Sequence, residues 1–165
     1  MILTGKEIQR EVDSKSITIT PFDESMINPN SINYRIGNKI KKFIKFENNK
    51  SVFESILIPK IGLQLEPHTC YISNTLEIIG STKYAMSLIG RSSLGRLGLF
   101  LQISANLGHT GCCHQWTLEI VATKPIIIYP NMKIGQVSFW KNKGESTDYK
   151  GAYGKISNPQ ESLYL

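Results

Sequence analysis

The chain has 165 residues, of which 41% are hydrophobic and 19% charged, and its formal net charge is +6. This length suits one domain, residues 1–165, and the composition excludes a globally disordered chain. No run approaches the roughly 20 apolar residues of a membrane helix, and the N-terminus lacks the apolar region of a signal peptide. The positive charge favours anionic partners, and we expect a cytoplasmic protein that engages no membrane.

The cysteines indicate the redox state of the compartment, and the lysines bear on whether the protein binds nucleic acid. The three cysteines, Cys70, Cys112 and Cys113, lack the regular spacing of a disulfide framework, which fits a reducing cytoplasm. The basic cluster at positions 39, 41, 42 and 45 is better explained as a solvated face, because lysines are mostly exposed in any fold. We therefore expect no nucleic-acid partner.

The first elements in the chain are a helix and a strand. Thr4 followed by Glu7 fits a capping box, and Ile8 and Val12 share one face of the predicted helix, which we expect to end before residue 16. Alternation over 17–20, stopped by a proline, predicts a strand.

The rest of the chain shows short strand signals separated by glycine and proline. We predict strands at 32–36, 39–46, 54–58, 62–65, 69–73, 75–78, 84–89, 99–103, 115–122, 126–129 and 136–140. This pattern indicates an all-β sandwich or barrel. A short internal helix, capped by serine and closed by glycine, is predicted within 92–98, and a flexible C-terminal arm begins at about residue 144.

The segment 90–98 is a candidate phosphate site. Arg91 and Arg96 offer bidentate, charge-assisted bonds, and Ser92 and Ser93 add hydroxyls beside free backbone amides. A plain helix cap with exposed arginines explains the same residues equally well, and local composition leaves both interpretations open.

The strand around Glu119 is a second candidate. Alternation places Trp116, Leu118 and Ile120 on one face, and Thr117, Glu119 and Val121 on the other. A carboxylate in so apolar a strand either has a cationic partner or is held protonated for acid–base work. A glutamate on a solvated sheet face is the alternative, and the strand by itself favours it.

The third candidate is the segment 109–114, with His109, Cys112, Cys113 and His114. Four potential ligands lie close together, but their spacing matches no standard zinc pattern, and the zinc-deaminase signature is absent. A turn of small residues is favoured over a metal site, so we expect no zinc and no protein-bound metal.

Several motifs, taken in order, resemble those of the dCTP deaminase/dUTPase family. GRSSLGRLGL at 90–99 is similar to the family's GRSSLARLGL, and TLE at 117–119 matches its T/V-L-E strand. YPNMKIGQ at 129–136 is similar to YPGMKIGQ. MILT at 1–4 and PNSINYRIG at 29–37 resemble MxLS and P-x-SYDLRLG.

This resemblance implies a distorted β-barrel or jelly-roll-like sandwich of the dUTPase type, assembled as a homotrimer with active sites between subunits. It implies zinc-independent hydrolytic deamination of a cytosine deoxynucleotide, from dCTP to dUTP and ammonia. Glu119 would be the general acid–base residue and the carbonyl of Ala105 would hold the water. Arg96 and Ser92 of the neighbouring subunit would complete the site.

Substrate contacts follow from the same resemblance. Arg91, Ser92 and Ser93 would contact phosphates that carry Mg²⁺, and Trp116, Thr117 and Tyr149 would line the nucleotide site.

The chain departs from the family at two places. His109 stands where the family has an aspartate that contacts the sugar 3′-hydroxyl and, in dUTPases, activates water. Histidine suits that second role poorly, which favours a deaminase. His109 either faces the sugar, which we favour, or points to solvent.

The arm departs as well, because Asp148 replaces a phosphate-binding lysine and only Tyr149 and Gly154 match the family stretch. A dUTPase, a bifunctional deaminase-dUTPase and a non-catalytic nucleotide-binding regulator remain alternatives.

Overall fold

The computed structural model describes residues 1–102, 105–145 and 147–163. The N-terminal helix α1 (Gly5–Asp13) is confirmed, and the Thr4 hydroxyl accepts a bond from the Glu7 amide at 3.4 Å. Ile8 on its inner face is fully buried. Among the described residues, no helix is long and apolar enough to cross a membrane.

Strands make up most of the described chain. They are β1 (Ile17–Thr20), β2 (Ile27–Asn28), β3 (Ser31–Glu47), β4 (Lys50–Leu57), β5 (Leu63–Leu65), β6 (Cys70–Ser81), β7 (Tyr84–Gly90), β8 (Leu99–Leu101), β9 (Leu107–Gly108), β10 (Cys113–Ala122), β11 (Ile126–Ile128) and β12 (Lys133–Lys141). A second short helix, α2 (Ser92–Gly95), interrupts them, and 3-10 turns occur at Glu24–Met26 and Ala152–Lys155.

One large antiparallel sheet curls into a half-barrel. Its strand order is β8-β10-β6-β3-β12-β7-β9, with β1 beside β6 and with β2 and β4 beside β3. The separate pair β5 and β11 forms a small second sheet. The predicted all-β fold with an N-terminal and an internal helix is confirmed.

Two predicted strand breaks were wrong. The segments 32–36 and 39–46 form the single strand β3, and 69–73 and 75–78 belong to the single strand β6, which begins at Cys70. Gly37 lies within a register shift rather than at an end: a Cβ there would meet the side-chain Oδ1 of Asn74 at 3.0 Å and its backbone carbonyl oxygen at 3.3 Å, so β3 passes close to Asn74 of β6.

The predicted serine cap of α2 was also wrong. Arg91 occupies the N-cap position, and its side chain makes no capping bond. The predicted closure by glycine is found at Gly98, which has φ of +89° and ends the turn after α2. The predicted end of the strand at Ile103 lies outside the described residues.

Strand β10 positions the site through its alternation. Leu118 and Ile120 are fully buried, and Trp116 is half-buried beside them. Thr117 and Glu119 lie on the opposite face, as predicted, and line a cleft. The strand thus buries an apolar face in the core and presents a polar face to a ligand.

Candidate active site

A cleft of about 470 Å³ lies on this polar face. Strand β10, the segment 105–109 and the C-terminal arm (residues 147–163) form its walls. It brings together six of the residues that the family resemblance assigns to the site: Ala105, His109, Trp116, Thr117, Glu119 and Tyr149. The cleft is therefore the place in this chain where the predicted chemistry is concentrated.

Glu119 lies in this cleft with its side chain still reached by solvent. Partial desolvation raises the pKa of Glu119 above its ordinary value, and a backbone hydrogen bond opposes the rise in part. A carboxyl group whose pKa moves toward neutrality exchanges protons more readily at physiological pH. Glu119 is thus suited to taking a proton from water and passing it on.

Gln102 holds the backbone around Glu119. Its side-chain Oε1 accepts from the Glu119 amide at 2.9 Å, and its Nε2 donates to the Thr117 carbonyl at 3.2 Å. Its own backbone amide donates to the Glu119 carbonyl at 3.2 Å. Gln102 is buried and has φ of +51°, so an unusual backbone conformation places this amide between β8 and β10.

Trp116 and His114 form the aromatic part of the wall. Their ring centroids are 4.3 Å apart at a tilt of 31°. The Trp116 indole donates to the Ile79 carbonyl at 2.8 Å, and the His114 Nδ1 lies 2.9 Å from the Gln115 carbonyl. With one nitrogen donating to that carbonyl, a neutral His114 keeps Nε2 as an acceptor.

The C-terminal arm crosses the cleft. The Gln160 amide donates to the Thr117 hydroxyl at 3.4 Å, and Glu161 pairs with Lys41 of β3 at 2.9 Å. Pro159 is buried. The described part of the arm is folded against the sheet; its predicted flexibility stays a prediction.

The residues of the candidate phosphate site at 90–98 lie outside this cleft. Ser92 and Ser93 are exposed on α2, Arg96 is exposed at its C-cap, and Arg91 Nη1 reaches the Lys133 carbonyl at 3.5 Å. None of these four lines the cleft of its own chain. That placement leaves them available to another subunit, and a shared site stays a prediction.

The segment 109–114 was considered above as a possible metal site. Within the described residues, no group of three or more His, Cys, Asp or Glu side chains is arranged to hold a metal ion. Cys112 is a buried free thiol in the cleft wall, and desolvation raises its pKa.

Sequence reasoning missed several cleft residues. Gln102 offered the same signal as Glu119, a polar residue in an apolar strand, but was not singled out. His114 was considered only as a metal ligand. The arm residues Ile156, Gln160 and Glu161 gave no signal, because only tertiary folding brings them to the cleft.

Comparisons with known proteins agree with this geometry. The family model described as dCTP deaminase-like matches residues 2–142. The chain is 41% identical over 170 residues to the "dCTP deaminase, dUMP-forming" of Hathewaya histolytica, across 99% of this chain and 96% of the relative. It is 39% identical over 170 residues to the protein of that name from Cytophaga hutchinsonii, with the same coverage.

A solved structure shares the fold. The 2′-deoxycytidine 5′-triphosphate deaminase from Agrobacterium tumefaciens superposes with a TM-score of 0.70 at 20% identity, over 86% of this chain and 48% of that one. This likeness supports the dUTPase-like fold, and the sequence relatives support the family. The chain therefore belongs to the dCTP deaminase-like family of enzymes.

Proposed function

We propose that this protein catalyses the zinc-independent hydrolytic deamination of dCTP, with release of ammonia. The observation that carries this proposal is Glu119, a carboxyl group of raised pKa in the cleft, on a strand whose motif matches the family. The relatives at about 40% identity are named dCTP deaminases.

The residues of this chain supply positioning and proton transfer. Glu119 takes a proton from a water molecule held at the Ala105 carbonyl and delivers it to the leaving amine. Thr117 and Trp116 line the part of the cleft that holds the base and the sugar. Attack at the carbon that bears the amino group then replaces nitrogen with oxygen and gives a uracil nucleotide.

The remaining contacts come from a neighbouring subunit in a homotrimer. Arg96 pairs with Glu119, and Ser92 orients substrate or water. Arg91 and Ser93 contact the phosphates. Mg²⁺ bound to the triphosphate would offset part of the phosphate charge.

The immediate product is dUTP, because His109 brings no carboxylate to the position that activates water in dUTPases. A second hydrolysis, from dUTP to dUMP, is the second candidate, and the relatives named dUMP-forming favour it. Incubation with dUTP alone separates the two, because release of pyrophosphate from dUTP requires that second activity.

The first test is product analysis by mass spectrometry after incubation with dCTP and Mg²⁺. We expect a uracil nucleotide, unaffected by a zinc chelator. Glu119→Gln should lose about 10²–10⁴-fold in rate, because it removes the proton-transfer group, while Glu54→Gln on exposed β4 leaves the rate unchanged. Survival of dCTP, dCMP and related cytosine nucleotides after prolonged incubation contradicts the proposal.

A further inference from the structure

The turn that carries His109 is fixed to the sheet. The Gly111 amide donates to the Ser81 carbonyl at 2.8 Å, and the Cys112 amide donates to the His109 carbonyl at 3.3 Å. Gly111 has φ of +87°, a conformation that glycine adopts without strain. The backbone of His109 therefore has a defined place at the rim of the cleft.

The His109 ring contacts the arm. Its centroid lies 4.8 Å from that of Tyr149, and the two ring planes differ by 10°. The Tyr149 amide also donates to the Thr110 carbonyl at 3.5 Å. An offset stack of this kind is attractive beyond the apolar area that it buries.

Two glycines of the arm lie close to the Tyr149 ring. A Cβ on Gly154 would lie 2.8 Å from Cδ1 of Tyr149, and a Cβ on Gly151 would overlap the phenol. The chain wraps around the ring at the two places where a side chain would obstruct it. Tyr149 is thus oriented by its own segment toward His109.

Among the described residues, no ion pair joins this end of the arm to the turn. Asp148 precedes Tyr149, and its Oδ1 lies 2.7 Å from the position of a Cβ on Gly111. The far end of the arm, by contrast, has the Glu161–Lys41 ion pair and the Gln160–Thr117 bond. Next to the cleft, the turn and the arm are joined by the aromatic stack and by the Tyr149–Thr110 backbone bond.

We propose that His109 is a positioning residue that holds the arm over the cleft through Tyr149, and so sets the affinity for the nucleotide. The effect on affinity rests on the proposed function, whereas the hold on the arm does not. Loss of the stack should loosen the arm about 2- to 12-fold, the range expected for one aromatic pair.

Two substitutions test the aromatic ring of His109 and its hydrogen-bonding nitrogens separately. His109→Phe keeps a flat ring and removes hydrogen bonding, and His109→Gln keeps a polar group and removes the ring. Hydrogen exchange of residues 147–163 in the unliganded protein reads out the arm. KM and kcat for dCTP report the effects on substrate binding and on turnover.

We expect His109→Gln and Tyr149→Ala each to speed exchange of the arm and to raise KM by about 2- to 12-fold with little change in kcat. Their combination should add little, because both remove one contact. His109→Phe and Tyr149→Phe keep the stacked rings, so the exchange of the arm should stay as slow as in the parent protein. Tyr129→Ala, at a tyrosine that is 46% exposed, is the control.

Equal exchange of the arm in His109→Phe and His109→Gln, or parental exchange in His109→Gln, overturns the proposal. A His109→Phe protein with a protected arm and a raised KM, restored to parity by a substrate that lacks the 3′-hydroxyl, overturns the claim on affinity and assigns His109 to the sugar. If dCTP is not turned over at all, the exchange measurement still decides the hold on the arm.

Discussion

The side-chain amide of Gln102 joins two strands at the position of Glu119. Its Oε1 accepts from the Glu119 amide at 2.9 Å, and the Gln102 backbone amide donates to the Glu119 carbonyl at 3.2 Å. Strand β8 pairs with β10 up to Leu101. The hydrogen bonds of Gln102 therefore continue the pairing to β10 beyond the regular ladder. The position of the Glu119 backbone, and with it the start of its side chain, thus depends on Gln102.

We predict that Gln102→Leu lowers kcat for dCTP by about 10- to 100-fold, because small misplacements of a catalytic group are costly. KM should change little. The unpaired Glu119 amide should also cost about 1–3 kcal/mol of unfolding free energy, measured by thermal denaturation. Gln64→Leu, on the exposed face of β5, is the control. A parental kcat in a destabilised Gln102→Leu protein would limit Gln102 to a structural role.

The charge of Asp148 gives a second prediction. Asp148→Lys places a cation beside the cleft where the family resemblance has lysine, and it removes repulsion of an anionic substrate. We expect KM for dCTP to fall by about 3- to 10-fold at low salt and by less at high salt. KM for dCMP should fall less, since dCMP carries fewer charges.

Glu145→Lys makes the same change of charge at a nearby exposed residue. If Glu145→Lys lowers KM as much as Asp148→Lys, general electrostatic attraction explains the effect, and Asp148 has no specific position relative to the phosphates.

The sequence predicted the strands because their alternation reports burial directly, as in Leu118 and Ile120. The break at Gly37 was predicted wrongly, because a glycine signals a close approach as readily as a turn, and the break within 69–78 was wrong because Asn74 continues strand β6. Glu119 and Thr117 were placed correctly, since their faces follow from a period of two residues. Gln102 and the arm depend on contacts between residues far apart in the chain, which no local pattern encodes.

Glu11 supplies a prediction on stability against pH. Lys83 donates to Glu11 Oε1 at 2.8 Å and Tyr84 donates to the same oxygen at 2.6 Å. Ser16 also donates to this carboxylate. Hydrogen bonds from Lys83, then Ser16 and Tyr84, lower the pKa of Glu11 from 4.5 to about 2. The folded state therefore prefers the ionised form, which ties α1 to the β6–β7 turn.

A lowered pKa contributes stability above pH 4.5, and this contribution is lost as the pH falls toward 2. Glu11→Gln should lower the melting temperature at pH 7 by about 3–10 °C, as expected when a hydrogen bond to a charged group is lost. The difference should shrink between pH 4.5 and 2. Glu7→Gln, which removes a surface pair with Arg10, should change little at any pH. A difference for Glu11→Gln that is constant with pH would contradict this assignment.

The placement of Arg96 at the C-cap of α2, apart from the cleft that holds Glu119, gives the last prediction. A site that needs both residues is then completed by two subunits, so Glu119→Gln and Arg96→Ala proteins should each be inactive. When they are unfolded together and reassembled in equal amounts, about a quarter of the sites in a closed ring should combine two intact halves. Activity should return to about that fraction of the parent value. Reassembly of Glu119→Gln with the double variant Glu119→Gln/Arg96→Ala is the control, because no subunit there carries Glu119. An active monomer by light scattering, or equal activity in both mixtures, would show that each chain completes its own site.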